Sequence, residues 1–119
     1  MNAFRPQQPS STPKPLSHHR LRVYWRALAL AKLTHAHPIR RATLRRQAER
    51  AVDSVVLNIA EAAGLDGKRN KSQFRIARGS ALEVIAAYEL AEAYAELVPT
   101  QEVRREGAAV VAMLTRLGR

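Results

Sequence analysis

The sequence contains no cysteine, which excludes disulfide bonds and thiolate metal sites. The lack of cysteine is compatible with the reducing cytoplasm, where we expect the protein. No apolar run comes near the ~20 residues that a membrane-spanning helix needs, so we expect a soluble chain with no membrane partner. No segment alternates apolar and polar residues at every second position, so no sheet is expected. A chain of 119 residues is long enough for one hydrophobic core and too short for two.

Acidic residues are scarce, and the first 48 residues contain none. The chain carries 20 lysines and arginines against 10 acidic residues, which gives a formal charge of +10. Residues 1–78 hold 16 basic and 4 acidic residues, whereas residues 79–119 hold 4 basic and 6 acidic residues. The positive field therefore belongs to the first two thirds of the chain and favours a polyanionic partner. Most of these basic residues are arginines, and the base composition of the genome is an alternative explanation for this bias.

Prolines are concentrated at the start of the chain, among serine, threonine and glutamine. We interpret residues 1–17 as a disordered Pro-rich tail, because this composition lacks the apolar middle of a signal peptide. Residues 18–119 are then the folded domain.

Four amphipathic helices are predicted in this domain, because apolar residues recur at steps of three and four. Their approximate spans are residues 17–36, 38–64, 70–98 and 101–117. Pro38 suits the first turn of the second helix, Asn70 or Ser72 can cap the third, and Thr100 can cap the fourth. Four such helices with short connections predict an all-α, antiparallel up-down-up-down four-helix bundle.

The expected core follows from the same spacing. The third helix is unusual, because Ile76, Leu90, Tyr94 and Leu97 lie opposite its main apolar face. Either this helix is central in the bundle or its second face contacts another subunit. The predicted core residues are Leu21, Tyr24, Trp25, Leu28 and Leu33 in the first helix; Leu44, Ala48, Ala51, Val52, Val55, Ile59 and Ala62 in the second; Phe74, Ala77, Ala81, Val84, Ile85, Tyr88, Ala91 and Ala95 in the third; and Val103, Val110, Met113, Leu114 and Leu117 in the fourth.

A polar stripe runs beside the apolar face of the second helix. We interpret it as a structural network against the third helix, because buried polar groups must be paired. A catalytic role is disfavoured, since Ser54 has no histidine on its helix to activate it. We expect a close helix approach at Gly79 and an Arg50 partner for Glu83 if that carboxylate is buried. The predicted network comprises Gln47, Arg50, Ser54, Asn58, Glu61, Gly79, Ser80 and Glu83.

Two basic clusters are the candidate nucleic-acid-binding residues. They lie at opposite ends of the second helix, about 35 Å apart at about 1.5 Å per residue, so only a long polyanion or an oligomer could use both. The alternative is that both are merely solvated faces. The first cluster is Arg40, Arg41, Arg45 and Arg46, and the second is Lys68, Arg69, Lys71, Arg75 and Arg78.

Metal and cofactor sites are not expected. His18 and His19 diverge on a helix, and His35 and His37 do not share a helical face. Carboxylates are too few before residue 79 for two-metal chemistry. With no activated nucleophile either, we expect no enzymatic activity.

Two sequence blocks carry a family resemblance. The first contains Leu44, Gln47, Arg50, Ser54 and the run Asn58-Ile59-Ala60-Glu61, and the second contains Ala77-Arg78-Gly79-Ser80 with Glu83. The chain resembles the four-helix-bundle family of proteins encoded in intervening sequences of bacterial 23S ribosomal RNA genes. It departs from the family pattern at Ala62, where glycine is usual, and at Arg40, where an acid is usual.

The resemblance implies a ring-like homopentamer with no established enzymatic activity. It also implies a distant likeness to the accessory protein of diversity-generating retroelements, a basic pentamer that binds nucleic acid and a reverse transcriptase. We therefore expect a non-enzymatic oligomer that binds RNA or DNA through the phosphate backbone. The alternative is a protein-interaction scaffold or accessory subunit for a nucleic-acid enzyme such as a reverse transcriptase.

Overall fold

The computed structural model describes residues 15–119, in which four α-helices are the main elements and no strand is present. The predicted all-α class is therefore confirmed. Most of the predicted tail falls on residues 1–14, outside the described part of the chain. A 3₁₀-helix, Ser17–Arg20, precedes α1 (Arg22–Ala36), α2 (Ala42–Ala63), α3 (Gly67–Ala93) and α4 (Gln101–Leu117).

The first two helices begin later than the sequence predicts. Leu21 adopts an extended conformation, which separates the 3₁₀-helix from α1. At α2, Pro38 is not in the first turn, because Ile39 is buried and the Glu96 carboxylate accepts hydrogen bonds from the next two backbone N–H groups. These bonds, both 3.0 Å long, hold Arg40 and Arg41 outside the helix.

The third helix begins earlier than predicted, at Gly67, whose positive φ of 56° suits a residue without a side chain. Asn70 consequently lies within α3 and does not cap it. Its side-chain amide instead donates to the carbonyl of Ala62, at 2.6 Å, in the last turn of α2. Asn70 therefore satisfies a free carbonyl at one helix end while it belongs to the next helix.

The span of α4 matches the prediction, but the capping role of Thr100 does not. Thr100 occupies the N-cap position without a side-chain capping bond, and its hydroxyl donates to Glu92 Oε2 at 2.6 Å. Arg104 donates to the same oxygen at 2.9 Å. The Thr100 hydrogen bond, followed by the Arg104 charge, lowers the pKa of Glu92. This carboxylate thus joins the end of α3 to the start of α4.

All seven core residues predicted for α2 are buried. In α1 the prediction is displaced, because apolar residues surround most of this helix and the spacing alone does not select the inner face. Val23, Ala27 and Leu30 are buried, whereas Leu21, Tyr24 and Leu33 only pack against the core edge. Thr34 is also buried, and its hydroxyl is satisfied there because it donates to the Leu30 carbonyl at 2.6 Å.

The predictions for α3 and α4 hold at most positions. Ala95 is exposed because the helix ends before it, and its φ is 59°. Ile85, Met113 and Leu117 are half-buried rather than buried. Tyr88 is fully buried, and its hydroxyl donates to the carbonyls of Thr34 and His37, which ties α3 to the end of α1. Burial, with a smaller effect from the Glu49 charge, raises the pKa of Tyr88 to about 12.

The close approach of two helices occurs at Gly107 of α4, not at Gly79. A Cβ atom added at Gly107 would lie 2.8 Å from Ile85 Cγ1, whereas one added at Gly79 would meet no atom within 4 Å. The expectation of close packing at Gly79 is therefore wrong within one subunit. The glycine at position 107 lets α4 pack directly against the Ile85 side chain of α3.

We expect Gly107→Val to lower the free energy of unfolding by about 1–3 kcal/mol, because the new side chain overpacks the contact with Ile85. The matched control is Ala108→Val, one residue along the same helix and exposed, which should cost less than about 1 kcal/mol through helix propensity. Denaturant unfolding followed by circular dichroism measures both. Equal losses in the two variants would contradict the packing assigned to Gly107.

Candidate nucleic-acid interface

A chain of polar contacts connects α2 to α3. The hydroxyls of Ser54 and Ser80 lie 2.8 Å apart, and the Asn58 amide donates to both the carbonyl and the hydroxyl of Ser54. Gln73 then donates to Asn58 Oδ1 and, at 3.2 Å, to Glu61 Oε2. The network thus joins four of the predicted residues, Ser54, Asn58, Glu61 and Ser80, to Gln73.

Gln73 is the member that the sequence analysis missed. Its signal is its spacing, since it precedes Ser80 by seven residues and therefore lies on the same face of α3. The hydroxyls, amides and carboxylate satisfy one another at the half-buried edge of the α2–α3 contact. The arrangement fixes the register of the two helices.

Four predicted members of the network lie outside it. Gln47, Arg50, Gly79 and Glu83 are exposed, and no hydrogen bond or ion pair among residues 15–119 joins Arg50 to Glu83. The condition for that pair, burial of Glu83, is not met. These residues lie on an outward surface of α2 and α3, beside the inward contacts of Ser54 and Ser80.

The same surface contains the apolar residues that the third helix carries opposite its core face. Ile76, Leu90 and Tyr94 are 51%, 42% and 55% exposed, so α3 is not enclosed on all sides and the central placement is wrong. On α2, Leu57 is 67% exposed. We define the α2–α3 face as Gln47, Arg50, Leu57, Ile76, Gly79, Glu83, Leu90 and Tyr94.

The first basic cluster lies close to acidic groups. Glu96 accepts from the backbone N–H groups of Arg40 and Arg41, which places a carboxylate at the start of α2. The Arg45 guanidinium donates to the carbonyls of Ile39 and Arg40, and the Arg41 guanidinium lies 5.1 Å from the centre of the Tyr94 ring. Much of this cluster is therefore engaged in local contacts.

The second basic cluster is more open. Lys68, Arg69 and Lys71 are exposed on the first turn of α3, with no ion pair among the described residues. Arg75 Nε donates to the Gly118 carbonyl at 2.7 Å, and Arg78 Nε donates to Thr115 Oγ1 at 2.8 Å. These bonds orient two guanidinium groups without neutralising their charge.

The contacts of Arg75 and Arg78 also bring the end of α4 beside the start of α3. Arg116 and Arg119 are exposed there, and the sequence analysis did not assign them. Some forty residues of sequence separate them from the second cluster. Only the tertiary packing therefore shows that they are neighbours. Seven basic residues thus lie at the end of the molecule where the start of α3 packs against the end of α4: Lys68, Arg69, Lys71, Arg75, Arg78, Arg116 and Arg119.

Other chemistry is limited in the described part of the chain. Within residues 15–119, no group of three or more histidine, aspartate or glutamate side chains could hold a metal ion. His37 Nε2 lies 3.8 Å from Glu102 Oε1, and burial, with the neighbouring His19, lowers the pKa of His18. None of the helices in this region combines the length and the apolar character required to cross a membrane.

Comparison of the sequence with known proteins identifies one matching family. The family model described as 23S rRNA-intervening sequence protein matches residues 19–116, which cover nearly all of the four helices. Neither a curated protein nor a solved structure matches the chain significantly. The resemblance drawn from the two sequence blocks is therefore confirmed.

Asn58→Leu should lower the free energy of unfolding by about 1–2 kcal/mol, because Gln73 and Ser54 lose a hydrogen-bond partner. Asp53→Leu, on the exposed side of the same helix, is the control and should change stability by less than about 0.5 kcal/mol. Unfolding curves are measured together with binding of a labelled RNA. A variant that keeps full stability but loses RNA binding would show that Asn58 contacts the ligand.

Proposed function

We propose that this chain, which belongs to the 23S rRNA-intervening sequence protein family, is a non-enzymatic protein that binds RNA through the phosphate backbone. The observation that supports this function best is the group of exposed basic side chains where α3 begins and α4 ends. Arginine and lysine in such a group displace counterions from a polyanion, which drives association without reading sequence.

Two features favour this group over the first cluster as the principal contact. The carboxylate of Glu96 touches the backbone of the first cluster, and it would repel a nearby phosphate. In the second group no carboxylate bonds to the basic residues among the described residues, and neutral acceptors hold two guanidinium groups, Arg75 and Arg78, whereas in the first cluster they hold only that of Arg45. Guanidinium groups held in place lose less conformational entropy when they bind phosphate.

We also propose that the helices form an antiparallel bundle. In the contacts that support it, the residue numbers rise along one helix and fall along the helix packed against it. Between α3 and α4, Arg75 contacts Gly118, Ile85 lies against Gly107, and Glu92 binds Thr100. The partner in α4 therefore moves towards its start as the residue in α3 moves towards its end.

The α2–α3 face supports a proposal of homo-oligomer formation. An exposed apolar stripe on one helix is typical of a protein contact rather than of a solvated surface. Gly79 leaves room for a neighbouring backbone, and Arg50 and Glu83 supply opposite charges that two copies of the face can pair. The ring of five subunits is the arrangement that the family resemblance implies.

The same face supports a second candidate function, a scaffold or accessory subunit for a nucleic-acid enzyme such as a reverse transcriptase. Its apolar side chains would then be covered by another protein. A protein that co-purifies with the chain and remains bound after nuclease treatment would favour this function. Release of the partner by nuclease would favour RNA as the bridge.

For RNA binding, the triple variant Lys68→Gln, Arg69→Gln and Lys71→Gln should weaken affinity and reduce its salt dependence. Loss of three phosphate contacts lowers the slope of log affinity against log salt by about 2 for a single strand. The matched triple variant Arg40→Gln, Arg41→Gln and Arg46→Gln should have a smaller effect. Fluorescence anisotropy at salt concentrations from about 50 to about 200 mM measures both.

One outcome would contradict the proposed function, and a second would contradict the principal contact assigned to it. Unchanged affinity of the native protein across this salt range would exclude a backbone-dominated mode. A larger effect of the Arg40, Arg41 and Arg46 substitutions would move the principal contact to the start of α2. Arg75→Glu and Arg78→Glu should weaken binding further, because each reverses a charge.

For assembly, Leu90→Ser should reduce the oligomer mass measured by light scattering, because it removes apolar area from the α2–α3 face. Leu82→Ser is the matched control, since Leu82 and Leu90 are equally exposed, each at 42%. Leu82 lies roughly 80° away around α3, at about 100° per residue. Equal loss of mass in both variants, or in neither, would contradict the assignment of this face.

A further inference from the structure

A groove of about 310 Å³ lies between the start of α1 and the end of α4. Three arginines line it, Arg20, Arg22 and Arg116, and all three side chains are exposed. Its inner wall is apolar, because Val23 is buried and Met113 and Leu117 are half-buried. The groove therefore offers positive charge at its opening and an apolar surface inside.

The charge of this groove is not locally neutralised. No acidic residue lines it, and the three arginines form no ion pair among the described residues. The nearest acidic group along the α1–α4 contact, Glu106, pairs with Arg26 at a distance of 3.0 Å. Three like charges around one opening repel one another, and an anion that contacts them would remove this repulsion.

The groove lies at the same end of α4 as the contacts with the basic group on α3. Arg116 follows Thr115, whose hydroxyl accepts from Arg78, and it precedes Gly118, whose carbonyl accepts from Arg75. A long polyanion bound at the start of α3 therefore has further positive charge available at this end of α4, at Arg116. Arg20 at the end of the 3₁₀-helix and Arg22 at the start of α1 supply the other positive charges of the groove.

We propose that this groove holds one nucleotide of a single-stranded RNA, and this inference rests on the proposed function. The arginines bind the phosphates on either side of the nucleotide, and the base packs against the half-buried side chains of Leu21, Met113 and Leu117. A base inside a duplex is stacked and paired, so its face cannot reach an apolar wall. Phosphate contact alone would require the arginines but not the apolar residues behind them.

The inference is tested with a labelled 12-nucleotide single-stranded RNA and with the duplex of the same sequence. Arg116→Gln should lower the salt slope of single-strand binding by about 0.7, the value for one phosphate contact. Arg105→Gln removes the same charge from an exposed position earlier in α4 and should leave the slope unchanged.

Met113→Ser separates the base contact from the phosphate contact. It should weaken single-strand binding about threefold to tenfold through the loss of apolar contact, with no change in the salt slope or in duplex binding. Ala112→Ser, at an exposed neighbouring position, should leave every value unchanged. Thermal unfolding of each variant verifies the fold.

Cross-linking provides a readout that does not depend on a folded variant. A single-stranded RNA that contains 4-thiouridine should cross-link to the native protein within residues 20–23 or 113–117. Cross-links confined to other residues would overturn the inference, as would equal effects of Met113→Ser on single strand and duplex. The proposed function itself fails only if the native protein lacks salt-dependent RNA binding.

Discussion

The hydrogen-bonded contact between α2 and α3 is the constraint on which the rest of the structure depends. Ser54 and Ser80 meet across an otherwise apolar seam, and Asn58 and Gln73 continue the contact one turn further. Apolar packing alone tolerates displacement along or around a helix, whereas paired donors and acceptors leave one register at low energy. Once this register is set, the orientation of every other side chain on α3 follows.

That orientation has two consequences for function. Beside the seam, α3 presents Ile76, Leu90 and Tyr94 to solvent, which makes protein contact the natural use of this surface. The start of α3 is directed towards the end of α4, where Arg75 and Arg78 reach Gly118 and Thr115. The surface proposed for assembly extends along α3 to Tyr94, whereas the surface proposed for RNA is confined to the start of α3 and the end of α4.

The core positions of a helix could be predicted from the sequence where one face is apolar and the opposite face is polar. Helix α2 has polar residues on its outer side, so spacing identified all of its core positions. Helix α1 is apolar on most sides, and spacing did not distinguish Val23 and Leu30, which are buried, from Leu21 and Tyr24, which are not. The spacing of apolar residues identifies the buried face of a helix only where the opposite face is polar.

The candidate site was predictable only where it is local in sequence. Lys68, Arg69 and Lys71 are neighbours in the chain, so composition alone identified them as a cluster. Arg116 joins them through tertiary packing, and no local pattern marks it. The polar residues show the same limit: spacing placed Ser54 and Asn58 on one stripe with Gln47 and Arg50, but the position of α3 decides which of them find partners.

The acidic residues are distributed unevenly along α3, because all of them lie in its second half. Glu92 binds Thr100 and Arg104, and Glu96 binds the backbone at the start of α2, so carboxylates collect where α3 ends. Exposed basic side chains collect where α3 begins. The carboxylates where α3 ends offset the charge of the first basic cluster, so a polyanion is attracted more strongly to the region where α3 begins. In the proposed ring, rotational symmetry would direct every basic region to the same side, and one face of the assembly would then carry the RNA while the other remains clear of it.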